Sequence, residues 1–232
     1  MLERLFAQFD SLVVLDTETT GVRAESDEII ELAALRCVPD GAQCRVDSQM
    51  DEFIFLSPGR KIPPQIVSLT GITDRMLQEQ GIEKRAAAER FAALFTPRTL
   101  LVAYNAQFDL CFLYYFLSRF GMAGILKQAR LLDALTVYKD RRDYPHKLCS
   151  AIEAYQLKGQ NTHRAIDDAL ATLELLQAME QERGDLHEYV NLFGFNPKFG
   201  APKPRIGSVT YLPQPYTRTE PLYMKKPAGS FL

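Results

Sequence analysis

A fully apolar run that ends in two acids constrains this chain more than any other feature. Residues 12–15 (LVVL) lead directly into Asp16 and Glu18. Such a run is typical of a strand that is buried on both faces of a helix-covered sheet. Because alternate side chains of a strand share a face, Asp16 and Glu18 project together. The sequence therefore predicts a core strand that presents paired carboxylates at its end.

The remaining pattern predicts an α/β protein with a mixed sheet. Two more strands, 29–38 and 43–55, follow in a meander around a turn at 39–41, and later strands are predicted at 99–104 and 131–132. Helical patterns separate and follow these later strands, which favours helices packed on a sheet. The predicted helices cover residues 63–69, 83–95, 108–120, 147–155 and 164–182, with one more starting at Asp133.

Composition supports a globular domain and excludes several classes of protein. Of the 232 residues, 47% are hydrophobic and 24% are charged, which is too apolar for a disordered chain. No apolar run reaches the ~18 residues of a membrane span, and residues 1–4 lack the pattern of a signal peptide. We therefore expect a cytoplasmic protein with no membrane partner.

The sequence divides into a domain, residues 1–182, and a C-terminal tail, residues 183–232. Six of the 13 prolines fall between Pro202 and Pro227, so the tail is expected to be mostly irregular. The net charge of the chain is −2, yet from residue 197 onward six Lys/Arg residues stand against one acid, Glu220. Three interpretations of this basic tail stay open: a clamp that contacts phosphates, an inert solvated terminus, or a docking peptide for a protein. The docking peptide would use three tyrosines as anchors, Tyr211, Tyr216 and Tyr223.

Two further motifs place an acid at the start of a helix. Asn105 follows a strand, and Asp109 falls in the first turn of an apolar helix. His163 precedes the last long helix, in which Asp168 stands five residues further on. Five helical steps rotate by about 140°, so His163 is expected to approach from the loop and not from the face of Asp168. Each motif alone also fits an ordinary strand end or an acid that favours the helix dipole.

Helical phase separates Asp168 from its neighbour Asp167. At about 100° per residue, Asp168 lies on a mostly apolar flank that is expected to face protein, whereas Asp167 lies on the opposite, polar flank. The flank of Asp168 continues with Thr172, Leu175 and Met179. The core stripe of the helix is predicted to consist of Ile166, Ala169, Leu170, Leu173 and Leu176. Because a carboxylate that faces protein needs a cation, Asp168 is the predicted ligand.

Together the motifs contribute four carboxylates and one histidine. Hard oxygen ligands without thiolates favour Mg²⁺ or Mn²⁺ over zinc. Two such ions about 3.5–4 Å apart are the usual apparatus for in-line displacement at phosphorus, in which one activates water and the other stabilises the leaving oxygen. A histidine can take the proton of that water near neutral pH. The candidate metal ligands are Asp16, Glu18, Asp109 and Asp168, and the candidate base is His163.

In their order and spacing these motifs resemble those of the DEDDh-type 3′–5′ exonucleases, which are named for four acids and a histidine. The three segments are 16–18 (DTE), 105–109 (NAQFD) and 163–168 (HRAIDD). The resemblance covers residues 9–182 and is greatest to the epsilon-type proofreading exonuclease of bacterial replicative DNA polymerase. One departure is Tyr104, where epsilon-type enzymes often have a histidine.

The resemblance implies a ribonuclease H-like fold, a five-stranded mixed sheet flanked by helices. It implies that Asp16 bridges two metal ions and that Glu18 and Asp168 complete one side. Asp109 would hold the second ion largely through water, and His163 would be the general base. Contacts to the 3′-terminal nucleotide, partly through backbone groups, are expected from Thr17, Thr19, Thr20, Asn105 and Phe108.

The implied activity is metal-dependent release of nucleoside 5′-monophosphates from 3′ ends. Single-stranded DNA is the predicted substrate, a DNA polymerase is the predicted partner, and replication or repair of DNA is the predicted setting. Two alternatives stay open. One is an exoribonuclease of the same family, since discrimination of RNA depends on contacts to the 2′-hydroxyl. The other is a catalytically decayed module that binds nucleic acid or polymerase, and the five filled catalytic positions argue against it.

Overall fold

The computed structural model describes residues 2–41, 43–216 and 220–226. Its main sheet contains five strands, which are in chain order β1 (Ser11–Thr19), β2 (Ile29–Asp40), β3 (Gln43–Phe53), β4 (Thr99–Ala103) and β5 (Arg130–Asp133). The spatial order is β3-β2-β1-β4-β5. β4 and β5 run parallel to β1, whereas β2 runs antiparallel to both β1 and β3. The predicted five-stranded mixed sheet is thus confirmed, with the apolar run 12–15 in its central strand.

Helices cover both faces of this sheet. In chain order they are α1 (Glu3–Phe6), α2 (Pro64–Thr70), α3 (Asp74–Gln80), α4 (Lys84–Ala92), α5 (Ala106–Ser118), α6 (Gly124–Gln128), α7 (Ala134–Lys139), α8 (Leu148–Tyr155) and α9 (Ala165–Arg183). The sequence predicts all of them except α1, α3 and α6, which have four, seven and five residues. Among the described residues, no helix is long and apolar enough to cross a membrane.

The sheet separates two apolar layers. Leu12 and Val14 of β1 pack in the layer formed with α7, α8 and α9, whereas Val13 and Leu15 pack in the layer formed with α4 and α5. The same alternation directs Asp16 and Glu18 towards the α9 side of the sheet. The paired carboxylates therefore leave the core strand on the side from which the third motif comes.

Helix α9 confirms most of the predicted helical phase. Thr172, Leu175 and Met179 are buried, so the flank of Asp168 faces protein, and Asp168 itself is 6% exposed. Asp167 is more exposed than Asp168. The assignment of Leu170 to the core stripe is wrong, because this side chain is 39% exposed. The buried arc of α9 is centred near Thr172, and Leu170 falls outside it.

The described part of the tail contains regular structure that the sequence pattern does not predict. Two strands, β6 (Leu192–Phe195) and β7 (Thr210–Pro213), pair in parallel, and short 3₁₀ helices span Leu186–Tyr189 and Leu222–Lys225. Each element has four residues, which is too short for a period to appear among the prolines.

Buried polar groups join the tail to the domain. Asp140, which follows α7 and is 8% exposed, accepts hydrogen bonds from the Tyr189 hydroxyl (2.9 Å) and from Gln214 Nε2 (2.7 Å). The Leu222 amide donates a third bond to the same carboxylate. The three tyrosines predicted as docking anchors contact rings of the chain itself: Tyr211 contacts Phe193, Tyr223 contacts Tyr189, and Tyr216 contacts Tyr144 and His146.

Candidate active site

The candidate active site lies where the parallel strands of the main sheet end. β1 ends at Thr19 and β4 at Ala103, and the chain then turns at Asn105, whose backbone is left-handed with φ 64°. This turn lets α5 begin directly behind β4, which places Asp109 in the first helical turn. The pairing of β1 with β2 shifts register between Glu18 and Thr19, and such a bulge redirects side chains at the end of a strand.

Three of the five predicted residues lie within reach of one cation. Ligand atoms of Glu18, His163 and Asp168 all lie within 4.8 Å of one another. His163 stands in the loop before α9, with φ 57°, whereas Asp168 belongs to the first turn of the helix. The histidine and the acid therefore approach Glu18 from different directions, as the helical geometry predicts. Folding joins the first motif to the third although they are far apart in the sequence.

Asp16 and Asp109 extend this group into a cluster of four acids. Asp109 is 3% exposed, and its Oδ1 accepts a 2.6 Å hydrogen bond from the Thr17 hydroxyl. Burial raises the pKa of Asp109 to about 7. The pKa of Asp16 is raised well above its usual range by burial and, next, by the nearby charge of Asp109. Asp168 and Glu18 raise it further, so the four acids share one electrostatic environment.

Burial also makes Glu18 and Asp168 costly to ionise. Burial raises the pKa of Glu18 to about 8, with a further contribution from the charge of Asp168. Burial also raises the pKa of Asp168 to about 7, although Asn161 donates a hydrogen bond to its Oδ2. The other oxygen, Oδ1, is buried and has no hydrogen-bond partner within the described parts of the chain. Such a cluster is stable only with bound protons or cations, and its oxygen ligands fit Mg²⁺ or Mn²⁺.

A fifth buried acid, Glu31, was not predicted as part of the site. It lies opposite Glu18 on β2 and is fully buried. Its Oε1 accepts hydrogen bonds from Arg164 Nε (2.9 Å) and Nη2 (2.6 Å), and its Oε2 accepts one from the Ala165 amide (2.9 Å). Glu31 therefore fixes the start of α9 and the residue that follows His163. A charged residue inside the otherwise apolar run 29–35 was the signal in the sequence.

The three threonines among the predicted substrate contacts are buried. Thr17, Thr19 and Thr20 are each 6% exposed. Their hydroxyls take part in hydrogen bonds within the domain, with Asp109 Oδ1 (2.6 Å), the Gly21 carbonyl (2.6 Å) and the Glu28 amide (2.9 Å), respectively. The immediate effect of these side chains is to shape the end of β1 and to hold Asp109 in place.

The two other predicted contacts are accessible. Asn105 and Phe108 line a cleft of about 240 Å³ whose opposite wall includes Val22, which is 80% exposed. Tyr104, the departure from the epsilon-type pattern, donates a 2.9 Å hydrogen bond to the His146 carbonyl. Its hydroxyl therefore ties the end of β4 to the loop before α8.

Comparison with known proteins decides the family. A family model described as "Exonuclease" matches residues 13–176, which is most of the chain and includes all three motifs. The chain belongs to the DEDDh-type exonuclease family. The chain is 33% identical over 196 residues to a PolC-type DNA polymerase III of Lacticaseibacillus paracasei, a match that covers 82% of the chain and 12% of the polymerase. It is 36% identical over 175 residues to the PolC-type polymerase of Halalkalibacterium halodurans, covering 73% of the chain and 11% of the polymerase.

Solved structures support the fold. Exonuclease I of E. coli, in complex with a dA16 oligonucleotide, superposes with a TM-score of 0.68 at 21% identity and covers 78% of this chain and 42% of that one. Cell-death related nuclease 4 superposes with a TM-score of 0.64 at 19% identity, and the match covers 76% of this chain and 65% of that nuclease. The ribonuclease H-like fold predicted from the motifs is thereby confirmed. The chain spans only about an eighth of the length of its PolC-type relatives.

Proposed function

We propose that this chain is a metal-dependent 3′–5′ exonuclease that releases nucleoside 5′-monophosphates from single-stranded DNA ends. The observation that carries the proposal is the approach of Glu18, His163 and Asp168 to within 4.8 Å at the edge of a buried acid cluster. A histidine next to carboxylates that need cations provides both a base and ligand oxygens. That combination suits hydrolysis of a phosphodiester.

The acids would hold two Mg²⁺ or Mn²⁺ ions. Asp16 would contribute to both ions, Glu18 and Asp168 would contribute to one of them, and Asp109 would hold the other, largely through water. The unpartnered Oδ1 of Asp168 and the raised pKa values of the acids support cation binding. A bound cation would give that oxygen a partner and would stabilise the ionised form of the acids. When bound, the ions supply Lewis acidity to the attacking water and to the leaving oxygen.

His163 would accept the proton of the attacking water. Its place in a loop at the mouth of the cluster leaves the ring open to a water molecule, while the more buried acids remain available to cations. The bonds from Arg164 and the Ala165 amide to Glu31 restrain the backbone on the C-terminal side of the ring. General-base catalysis of this kind contributes about 10²–10⁴-fold to a rate.

The 3′-terminal nucleotide would contact the end of β1 and the start of α5. Because the hydroxyls of Thr17, Thr19 and Thr20 bond within the domain, their contribution to binding rests on backbone groups. Asn105 and Phe108 would contact the nucleotide with their side chains, since both line the open cleft. An aromatic ring such as that of Phe108 can stack on any base, so this contact would be tolerant of sequence.

The similarity to PolC-type relatives supports a role of the proposed activity next to DNA synthesis. These relatives are DNA polymerases of which the chain matches about an eighth. We therefore propose that it works in the cytoplasm in replication or repair of DNA, with a DNA polymerase as its partner. Co-purification of the full chain with a replicative polymerase from the same cells would test the partner.

Digestion of end-labelled oligonucleotides tests the activity. Single-stranded DNA, a duplex with a 3′-terminal mismatch and RNA of the same sequence would be incubated with Mg²⁺ or with EDTA. We expect a 5′-labelled DNA strand to shorten stepwise with release of 5′-monophosphates, only in the presence of metal. Undiminished digestion in EDTA would contradict the metal requirement, and preferential digestion of RNA would favour the exoribonuclease.

A further inference from the structure

The tail forms one wall of the cleft that Asn105 and Phe108 line. The cleft of about 240 Å³ is bounded by the loop after β1, by the first turns of α5 and by Lys203 and Pro204 of the tail. Asn105 and Phe108 contribute from α5, and Val22 contributes from the loop. The family match ends at residue 176, so this wall is built by a segment outside the matched region.

One side chain of α5 fixes that wall in place. Gln107, two residues before Asp109, donates a 2.8 Å hydrogen bond to the Pro204 carbonyl and accepts a 2.6 Å hydrogen bond from the Tyr211 hydroxyl. The same hydroxyl accepts a 3.1 Å bond from the Ile206 amide. The segment 203–206 is therefore joined to the helix that carries Asp109, and the cleft keeps a defined shape.

The lining of the cleft combines apolar surface with a free cation. Val22, Phe108 and Pro204 provide faces on which a base can lie, and Asn105 provides an amide group. Lys203 is exposed, and no carboxylate in the described parts of the chain forms an ion pair with it. Glu25, on the loop wall, is the acid of the lining, and the Tyr115 hydroxyl donates a long 3.4 Å hydrogen bond to it.

We propose that Lys203 and Pro204 form a subsite for the nucleotides that precede the 3′ end of single-stranded DNA. This inference rests on the proposed function and extends it to the tail. Lys203 contacts a phosphate, and the base next to the 3′-terminal one lies against Pro204, while Phe108 contacts the 3′-terminal base. A base that is paired in a duplex cannot enter such a cleft, so the subsite selects unpaired ends. Of the three interpretations of the basic tail, this proposal corresponds to the clamp that contacts phosphates.

Equilibrium binding tests the subsite directly. The wild-type chain and its variants would be titrated with a fluorescein-labelled dT oligonucleotide in EDTA, so that no hydrolysis intervenes, and Kd would be measured by anisotropy at several salt concentrations. Lys203→Ala should raise Kd by about tenfold, as expected for a lost charge-assisted hydrogen bond. It should also reduce the slope of log Kd against log salt by about 0.7, the value for one phosphate contact on a single strand.

Lys198→Ala is the matched control, because Lys198 is an exposed lysine of the same tail that lies over the Phe199 ring and not in the cleft. It should leave Kd unchanged. Tyr211→Phe, which removes the hydroxyl that joins Gln107 to the tail, should weaken binding in the same direction as Lys203→Ala. The proposal would be overturned if Lys203→Ala bound the oligonucleotide as tightly as wild type, or if Lys198→Ala lost as much affinity as Lys203→Ala. It would also be overturned if wild type bound a blunt duplex as tightly as single-stranded DNA.

A second substrate separates this inference from the proposed function. The p-nitrophenyl ester of thymidine 5′-monophosphate has no preceding nucleotide, so it uses the acid cluster and the site of the 3′-terminal nucleotide without the proposed contact to Lys203. Lys203→Ala should hydrolyse it with unchanged kcat/KM while its KM for the oligonucleotide rises by about tenfold. Failure of wild type to hydrolyse either substrate with Mg²⁺ or Mn²⁺ would refute the exonuclease, whereas the salt slope in EDTA would still decide the subsite.

Discussion

Among the five site residues, only His163 carries a nitrogen base, and in the proposed mechanism the four acids would all serve as metal ligands. Its replacement by Ala should lower kcat by about 10²–10⁴-fold, because a base acts in the transition state. Binding of single-stranded DNA and of Mg²⁺ should change little. Single-turnover hydrolysis of a labelled strand measures the rate of the chemical step, and fluorescence anisotropy measures the binding of single-stranded DNA. Weakened binding with intact turnover would contradict the role of His163 as base.

Asp168 and Asp167 are adjacent, yet their surroundings differ. Asp168 is 6% exposed with an unpartnered oxygen, whereas Asp167 accepts a 2.5 Å hydrogen bond from the exposed Thr162 hydroxyl. Asp168→Asn should nearly abolish hydrolysis and weaken binding of Mn²⁺ in calorimetric titration. Asp167→Asn should keep most of the activity and cost about 0.3–1 kcal/mol of stability from the helix dipole. Equal damage by the two changes would refute the ligand assignment.

At the scale of elements, one partly buried ion pair joins strand β2 to the start of α9. Glu31→Gln keeps the shape of the side chain but removes the carboxylate charge that pairs with Arg164. Loss of these charge-assisted hydrogen bonds should cost about 1.5–3 kcal/mol, and kcat should also fall because the loop of His163 loses its anchor. Urea unfolding and single-turnover assays measure the two effects.

The matched control is Asp47→Asn, which breaks the partly exposed pair of Arg36 and Asp47 in the β2–β3 hairpin. This change should cost at most about 1 kcal/mol and leave kcat unaltered. If Glu31→Gln is no more destabilising than Asp47→Asn, the ion pair does not hold the start of α9.

The sequence alone predicts the strands and helices that contain a clear pattern of apolar residues. It also predicts the acidic residues that stand at the ends of these elements. The strand around residues 12–15, the helix that carries Asp109 and the phase that buries Asp168 all follow from local pattern. Glu31 escapes prediction because its role depends on its position opposite Glu18, which only strand pairing determines. The cleft wall at Lys203 escapes for the same reason, since hydrogen bonds between residues about a hundred positions apart create it.

At the scale of the whole molecule, the acid cluster links folding to pH and metal. The raised pKa values of Glu18, about 8, and of Asp109 and Asp168, about 7, mean that the folded metal-free protein binds more protons than the unfolded chain. Its free energy of unfolding must therefore fall as the pH rises from about 4, where unfolded acids titrate, to about 8. Cations that replace these protons offset this loss of stability, so the affinity for metal should increase over the same pH range.

Thermal unfolding at pH 6 and pH 8, with EDTA and with Mg²⁺, measures this linkage. We expect the Tm in EDTA to be lower at pH 8 than at pH 6, and the increase in Tm produced by Mg²⁺ to be larger at pH 8. Asp168→Asn, which replaces one of these acids by a neutral amide, should reduce both differences, whereas Asp167→Asn should preserve them. A Tm in EDTA that rises between pH 6 and pH 8 would show that the acids are ionised without metal, and the cluster would then need no cations to fold.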